Sequence, residues 1–182
     1  MARRETAARR YAEAAFAVGR QSGSLDRWES DLRAIGEALA DDRLRALVEH
    51  PAVAYPEKER VIRSVLGDRV ERPAMNLLLL MVRRGRPGAV NDTIEHFGEL
   101  LRRERGISRA EVRTALPLDD DGRAAISQRI GVITGNRVEL HEVVDESLIG
   151  GVSVRIGDRL YDASVRSRLE RLRARLKNVS RN

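Results

Sequence analysis

Three features of the sequence predict an α+β fold, a six-helix bundle followed by a small C-terminal α+β domain. They are helical periodicity down to Gly106, two-residue alternation beyond it, and a glycine-punctuated hairpin around Gly157-Asp158. At 182 residues the chain is long enough for two modest domains, each burying its own core. The boundaries expected from the change of period are residues 1–106 and 107–182.

In the first half, Leu25, Trp28, Leu32, Ile35 and Leu39 recur at steps of three and four and share one helical face. An opening helix is expected over roughly Arg3 to Gln21. A short one carries Leu44, Leu47 and Val48 before Pro51. Another starts near Pro56 and carries Val61, Ile62 and Val65 to Gly67, with proline in a first turn where no N–H is needed. Pro73 opens a helix over Arg72 to Arg84 that "RGRPG" closes. Val90, Ile94, Phe97 and Leu101 complete the set.

Beyond Gly106, Ala110, Val112, Thr114 and Leu116 alternate with Glu111, Arg113 and Ala115, as on a half-buried strand. Asp119 to Asp121 then start a helix with Ile126, Ile130 and Ile133, stopped by Gly135-Asn136. Val138 and Leu140 mark a second strand. Val152, Val154 and Ile156 mark a third, Gly157-Asp158 reverses the chain, and Leu160 begins the return. A final helix is expected from about Ser164, its stripe of Val165, Leu169, Leu172 and Leu176 lying on the sheet.

Composition removes several function classes. There is no cysteine, so neither disulfides, thiolate metal sites nor a cysteine nucleophile enter. The longest strictly apolar run, Leu77 to Val82, is far short of the ~20 residues of a membrane-spanning helix. The N-terminus lacks the apolar core of a signal peptide, and a soluble chain with no direct membrane insertion is expected. The net charge of +6 resides in the last helix, where seven basic residues from Arg166 to Arg181 face Glu170 alone. A balanced body with one basic end makes nucleic acid the lesser alternative, and sparse aromatics offer little for base stacking.

No catalytic or cofactor site emerges. Gly150, Gly151 and Gly157 are followed by Val152 and Asp158 rather than the Lys and Ser or Thr of a phosphate loop, and they separate strands rather than opening a helix. They read as a close backbone approach and a hairpin turn. Asp119 to Asp121 lack the alternate spacing and closing glutamate of a calcium loop. His50, His96 and His141 are scattered over separate elements, so no metal site is expected. Two helices are instead more apolar than one core-facing stripe requires. Tyr11 to Val18 carries a single charged residue, and Leu77 to Val82 is apolar all round, which means burial on every side or a groove for a partner helix. The arginines of the last helix read as a solvated face or as a contact for an acidic partner.

The C-terminal residues Asp145, Leu148-Ile149-Gly150-Gly151, Ile156-Gly157-Asp158, Asp162, Ser164 and Leu169 resemble the signature of the delta subunit of F-type ATP synthases. That family is the bacterial counterpart of the mitochondrial oligomycin-sensitivity-conferring protein. "ARRYAEAAFAVG" is similar to the family's first helix and "NLLLLMVRRGR" to its fifth, so the resemblance spans essentially the whole chain. Ala163, where glycine is common, and Arg83-Arg84, where an acidic or amide pair is common, depart from it.

The resemblance implies a non-catalytic stator without cofactors, peripheral to the cytoplasmic face of the cell membrane, that keeps the catalytic head from turning with the rotor. It implies that the N-terminal helix of the alpha subunit sits between the first and fifth helices, against Tyr11, Ala14, Ala15, Val18, Leu78, Leu79 and Val82. It also implies that the C-terminal domain joins the peripheral-stalk b subunit. Charge nominates Arg168, Arg171 and Arg175 for that contact.

Overall fold

The computed structural model describes the backbone of residues 2–169 and 171, and the side chains from residue 5 onward. The fold is α+β. Seven α-helices and a four-stranded sheet are found among the described residues: α1 (Ala2–Gln21), α2 (Leu25–Leu39), α3 (Asp42–Glu49), α4 (Tyr55–Leu66), α5 (Arg72–Arg83), α6 (Val90–Glu104), β1 (Ile107–Thr114), α7 (Asp120–Thr134), β2 (Arg137–Val144), β3 (Val152–Ile156) and β4 (Arg159–Asp162). A further helical stretch occupies 165–169. Two 3-10 turns that the sequence pattern did not announce lie at Pro87–Ala89 and Glu146–Leu148. The chain divides into two compact units, Met1–Leu101 and Arg102–Asn182.

The helical unit is organised around Phe97, which is buried on α6, meets Phe16 edge-on at 6.0 Å and stacks on Trp28 at 6.4 Å. The periodic residues Trp28, Leu32, Ile35 and Leu39 of α2 are all buried there. Helix α1 contributes small residues, Ala8, Ala12 and Ala15, so its backbone comes close to its neighbours. At Gly19 a Cβ would lie 2.8 Å from Trp28 Cδ1, closer than packing allows. The buried carboxylate of Asp31 links α2 to the start of α5. Its Oδ2 accepts the Glu71 N–H at 3.1 Å, and Arg27 Nε bridges Asp31 Oδ1 at 3.0 Å and Glu71 Oε1 at 3.2 Å. Burial raises the Asp31 pKa above its ordinary value.

In the second unit the sheet order is β2-β1-β3-β4. Strands β1 and β2 run parallel, joined through α7, and β3 and β4 are antiparallel to their neighbours. Ala110, Val112 and Val154 form the core with Ile130 of α7, flanked by Ile126, Val138, Leu140, Val152 and Ile156. Helix α7 starts because Asp119 Oδ1 accepts the Gly122 N–H at 2.8 Å, and it stops at Gly135 with φ +70°.

Three expectations for this unit need correction. Leu116 lies beyond β1 and is exposed, because pairing with β2 and β3 ends at Thr114. Ile133 is 53% exposed, since only Ile126 and Ile130 of α7 reach over the sheet. Val165 and Leu169 are 37% and 54% exposed, so they do not form the buried stripe expected of the last helix. Leu172 and Leu176 lie outside the described residues.

Candidate protein-binding surfaces

Helix α1 carries two apolar stripes. One, through Ala8, Ala12, Ala15 and Gly19, is buried in the core. The other runs through Tyr11, Ala14 and Val18 at steps of three and four, roughly a quarter to a third of a turn away at ~100° per residue. On it Tyr11 is half-buried, Ala14 exposed and Val18 49% exposed. Helix α5 packs against α1 and turns Ala74, Met75, Leu78, Leu79, Met81 and Val82 inward. Of the apolar residues in its Leu77 to Val82 run, Leu80 is left 43% exposed, on the line of Asn76 and Arg84. Arg83 sits over the Tyr55 ring of α4, 5.9 Å from its centroid.

Of the seven residues nominated from sequence for the alpha-subunit contact, Tyr11, Ala14 and Val18 are therefore at the surface. Ala15, Leu78, Leu79 and Val82 are not: each is at most 6% exposed and belongs to the unit's own core. The physical reason is that a short helix apolar all round satisfies its own bundle first. Leu80 was missed. Its signal was available, because Asn76, Leu80 and Arg84 recur at four-residue steps and define the polar side of α5.

The glycine-rich signature residues of the second unit have a different character: Gly150, Asp145, Asp162 and Ser164 engage their polar atoms with their own chain. Gly157-Asp158 form the two-residue turn between Ile156 and Arg159, with Gly157 at φ +56°. Gly151 has φ +79°, and a Cβ on it would stand 2.7 Å from the Ala163 carbonyl oxygen and 3.0 Å from Ser164 Cα. Gly150 O accepts the Val165 N–H at 3.0 Å, so β3 is clasped to the start of the last helix. Asp162 accepts the Ser164 N–H at 2.9 Å and the Ser167 hydroxyl at 2.5 Å, and the buried Ser164 Oγ accepts the Ser167 N–H at 3.2 Å. The Ser167 hydroxyl, then the Ser164 N–H, hold the Asp162 pKa below its usual range. Asp145 caps the Glu146–Leu148 turn, accepting the Ser147 hydroxyl at 2.6 Å and its N–H at 3.0 Å, and its pKa is likewise lowered.

Arg168 and Arg171 are exposed, and Arg171 Nε donates to Ser167 O at 3.2 Å. Arg175 lies outside the described residues. Sequence analysis overlooked the polar face of the sheet. The alternation that sends Ala110, Val112 and Val154 into the core places Arg109, Glu111, Arg113, His141, Ser153, Arg155 and Leu160 on the opposite side.

A helical unit with exposed apolar residues along α1, joined to a sheet unit with a charged face, has the character of a protein that works through contact surfaces. The chain belongs to the ATP synthase delta (OSCP) subunit family, whose profile matches residues 7–176. It is 37% identical over 176 residues to an ATP synthase subunit delta of Salinibacter ruber, covering 96% of this chain and 93% of that one. Against the ATP synthase subunit delta of Methylobacillus flagellatus it is 34% identical over 177 residues, 97% and 99% of the two chains. Its fold matches a chain in the cryo-EM structure of the Toxoplasma gondii mitochondrial ATP synthase hexamer with a TM-score of 0.69 and 26% identity, over 93% and 96% of the chains. As a member of this family it is a non-catalytic, structural component of the peripheral stalk of an F-type ATP synthase. Among the described residues no helix is long and apolar enough to cross a membrane.

Proposed function

We propose that α1 to α6 correspond to the family's six-helix domain and hold the N-terminal helix of the alpha subunit, while the C-terminal unit holds the peripheral-stalk b subunit. The domains in this reading are residues 1–106 and 107–182, and the chain acts at the cytoplasmic face of the membrane. The observation that carries it is the second apolar stripe of α1. Ala14 and Val18 lie outside the core and Tyr11 packs against it with part of its side chain still exposed, and the three keep helical spacing along the surface. An amphipathic helix laid along that stripe would bury apolar area at roughly 25 cal/mol per Å². Leu80 of α5 offers a second apolar contact, and the buried Ala15, Leu78, Leu79 and Val82 support the two helices from beneath.

The mechanical argument follows from two attachments on one chain. Rotor torque on the catalytic head reaches the stalk through whatever joins them, so each attachment must persist longer than one rotary step. Residence time is set by the dissociation rate, which apolar burial slows. The test is calorimetric titration of the full chain with a peptide of the alpha-subunit N-terminus. Val18→Asp is expected to weaken binding about tenfold or more, because a carboxylate would be desolvated against the peptide, with the helical circular dichroism signal unchanged. Wild-type protein that fails to bind the peptide would overturn the proposal.

A further inference from the structure

In the connection between β2 and β3, Ile149 has φ +64° and ψ −33°, and among the described residues it alone combines a side chain with positive φ. A β-branched residue is poorly tolerated there, because its Cβ crowds the backbone carbonyl. Burial offers no compensation, since Ile149 is 71% exposed. Backbone strain of this kind persists only where the surroundings fix the chain on both sides.

Here they do. On the upstream side the Asp145 N–H donates to Thr114 O of β1 at 2.7 Å, the Leu148 N–H donates to Asp145 O at 3.1 Å, and the Leu148 side chain is buried. On the downstream side Gly150 O accepts the Val165 N–H at 3.0 Å, and Gly151 lies too close to Ala163 and Ser164 for a Cβ to fit. Ile149 stands between these anchors and takes up the change of direction that brings Gly150 to Val165. The downstream anchor is made entirely by residues 163–165.

A second observation is independent of the loop. Of residues 163–169 only Ser164 is buried, and Val165 and Leu169 are 37% and 54% exposed. The contacts that the described residues make with this segment are mainly polar: the Ala163 N–H on Val152 O at 2.9 Å, the Val165 N–H on Gly150 O, the Ser164 N–H and Ser167 hydroxyl on the Asp162 carboxylate, and the Ser167 N–H on Ser164 Oγ. Segments with few buried apolar contacts open locally at least cost.

We infer that residues 145–151 form a strained latch on the start of the last helix. In the closed state the Gly150–Val165 and Asp162–Ser167 bonds hold residues 163–167 and force Ile149 to positive φ. In the open state those bonds are released together and Ile149 relaxes to negative φ, while the sheet stays folded. The strain thus favours opening, and the hydrogen bonds of the clasp oppose it.

The experiment is native-state amide hydrogen exchange on the full chain, comparing wild type with Ile149→Gly, Ile149→Ala and Asp162→Asn. In wild type the Val165 and Ser167 amides are expected to exchange faster than the amides of β1, because the latch opens without the sheet. Ile149→Gly removes the strain and should slow both amides about tenfold. Ile149→Ala, which keeps part of the cost of positive φ, should slow them less. Asp162→Asn weakens the clasp without touching Ile149 and should speed them. Exchange at Val165 and Ser167 no faster than in β1, no slowing by Ile149→Gly, equal slowing by Ile149→Ala, or no effect of Asp162→Asn would each overturn the inference.

Discussion

Gly151 and Gly157 both have positive φ, yet their surroundings assign them different costs. At Gly157 a Cβ would meet nothing within 4 Å, so Gly157→Ala carries only the left-handed backbone penalty of about 1–2 kcal/mol. At Gly151 the same change adds contact with the Ala163 carbonyl and Ser164 Cα, backbone atoms that cannot step aside. Chemical denaturation followed at the sheet unit should show Gly151→Ala clearly less stable than Gly157→Ala. Equal losses would mean that the β3 clasp to residues 163–165 is not rigid. Asp31 and Asp162 form a second contrast, in pH. The Asp162 pKa is depressed in the fold, so its contribution is present above the ordinary aspartate value, about 3.9, and is lost as pH falls through the lower folded value. The Asp31 pKa is raised, so whatever it contributes is greatest below the ordinary value and declines as pH rises through the folded one. Raising pH from 3 to 7 should therefore make wild type more stable relative to Asp162→Asn, and less stable relative to Asp31→Asn. Parallel pH profiles of all three proteins would contradict both assignments.

At the scale of elements, α1 and α5 differ in how legible they were. The periodicity of α2 identified its buried face, because Leu25, Trp28, Leu32, Ile35 and Leu39 stand out against charged neighbours. In α1 the core stripe is alanine, and alanine is equally compatible with burial and exposure, so Ala14 and Ala15 look alike in sequence. The structure separates them. That distinction governs which substitutions probe binding. Leu78→Ala, at 2% exposure, is expected to cost about 2–5 kcal/mol of helical-unit stability, whereas Val18→Asp should leave melting nearly unchanged. Helix α7 shows local chemistry that sequence does convey. Asp119 caps it through the Gly122 N–H, and Asp119→Ala should lower stability by about 1 kcal/mol, readable as a drop in melting temperature.

Across the whole molecule, each unit has its own core: Phe97, Trp28 and Ile35 with their neighbours in one, Ala110, Val112, Ile130 and Val154 in the other. Val112→Ala, at a fully buried site, should accelerate amide exchange across residues 107–162 by weakening the sheet core, with α2 and α5 keeping their wild-type protection. Uniform acceleration in both units would show that they unfold together.

Local pattern was enough for the kinds and order of the main elements, the glycine turn, the acidic start of α7 and the likeness to the delta family, because periodicity and turn chemistry act over a few residues. Long-range packing settles which apolar residues of α1 and α5 remain at the surface, that β1 pairs in parallel with β2, and that Arg155 and Leu160 stand opposite each other across β3 and β4. Those outcomes depend on contacts between segments far apart in the chain, and a linear pattern of polarity does not encode which neighbour reaches a face first.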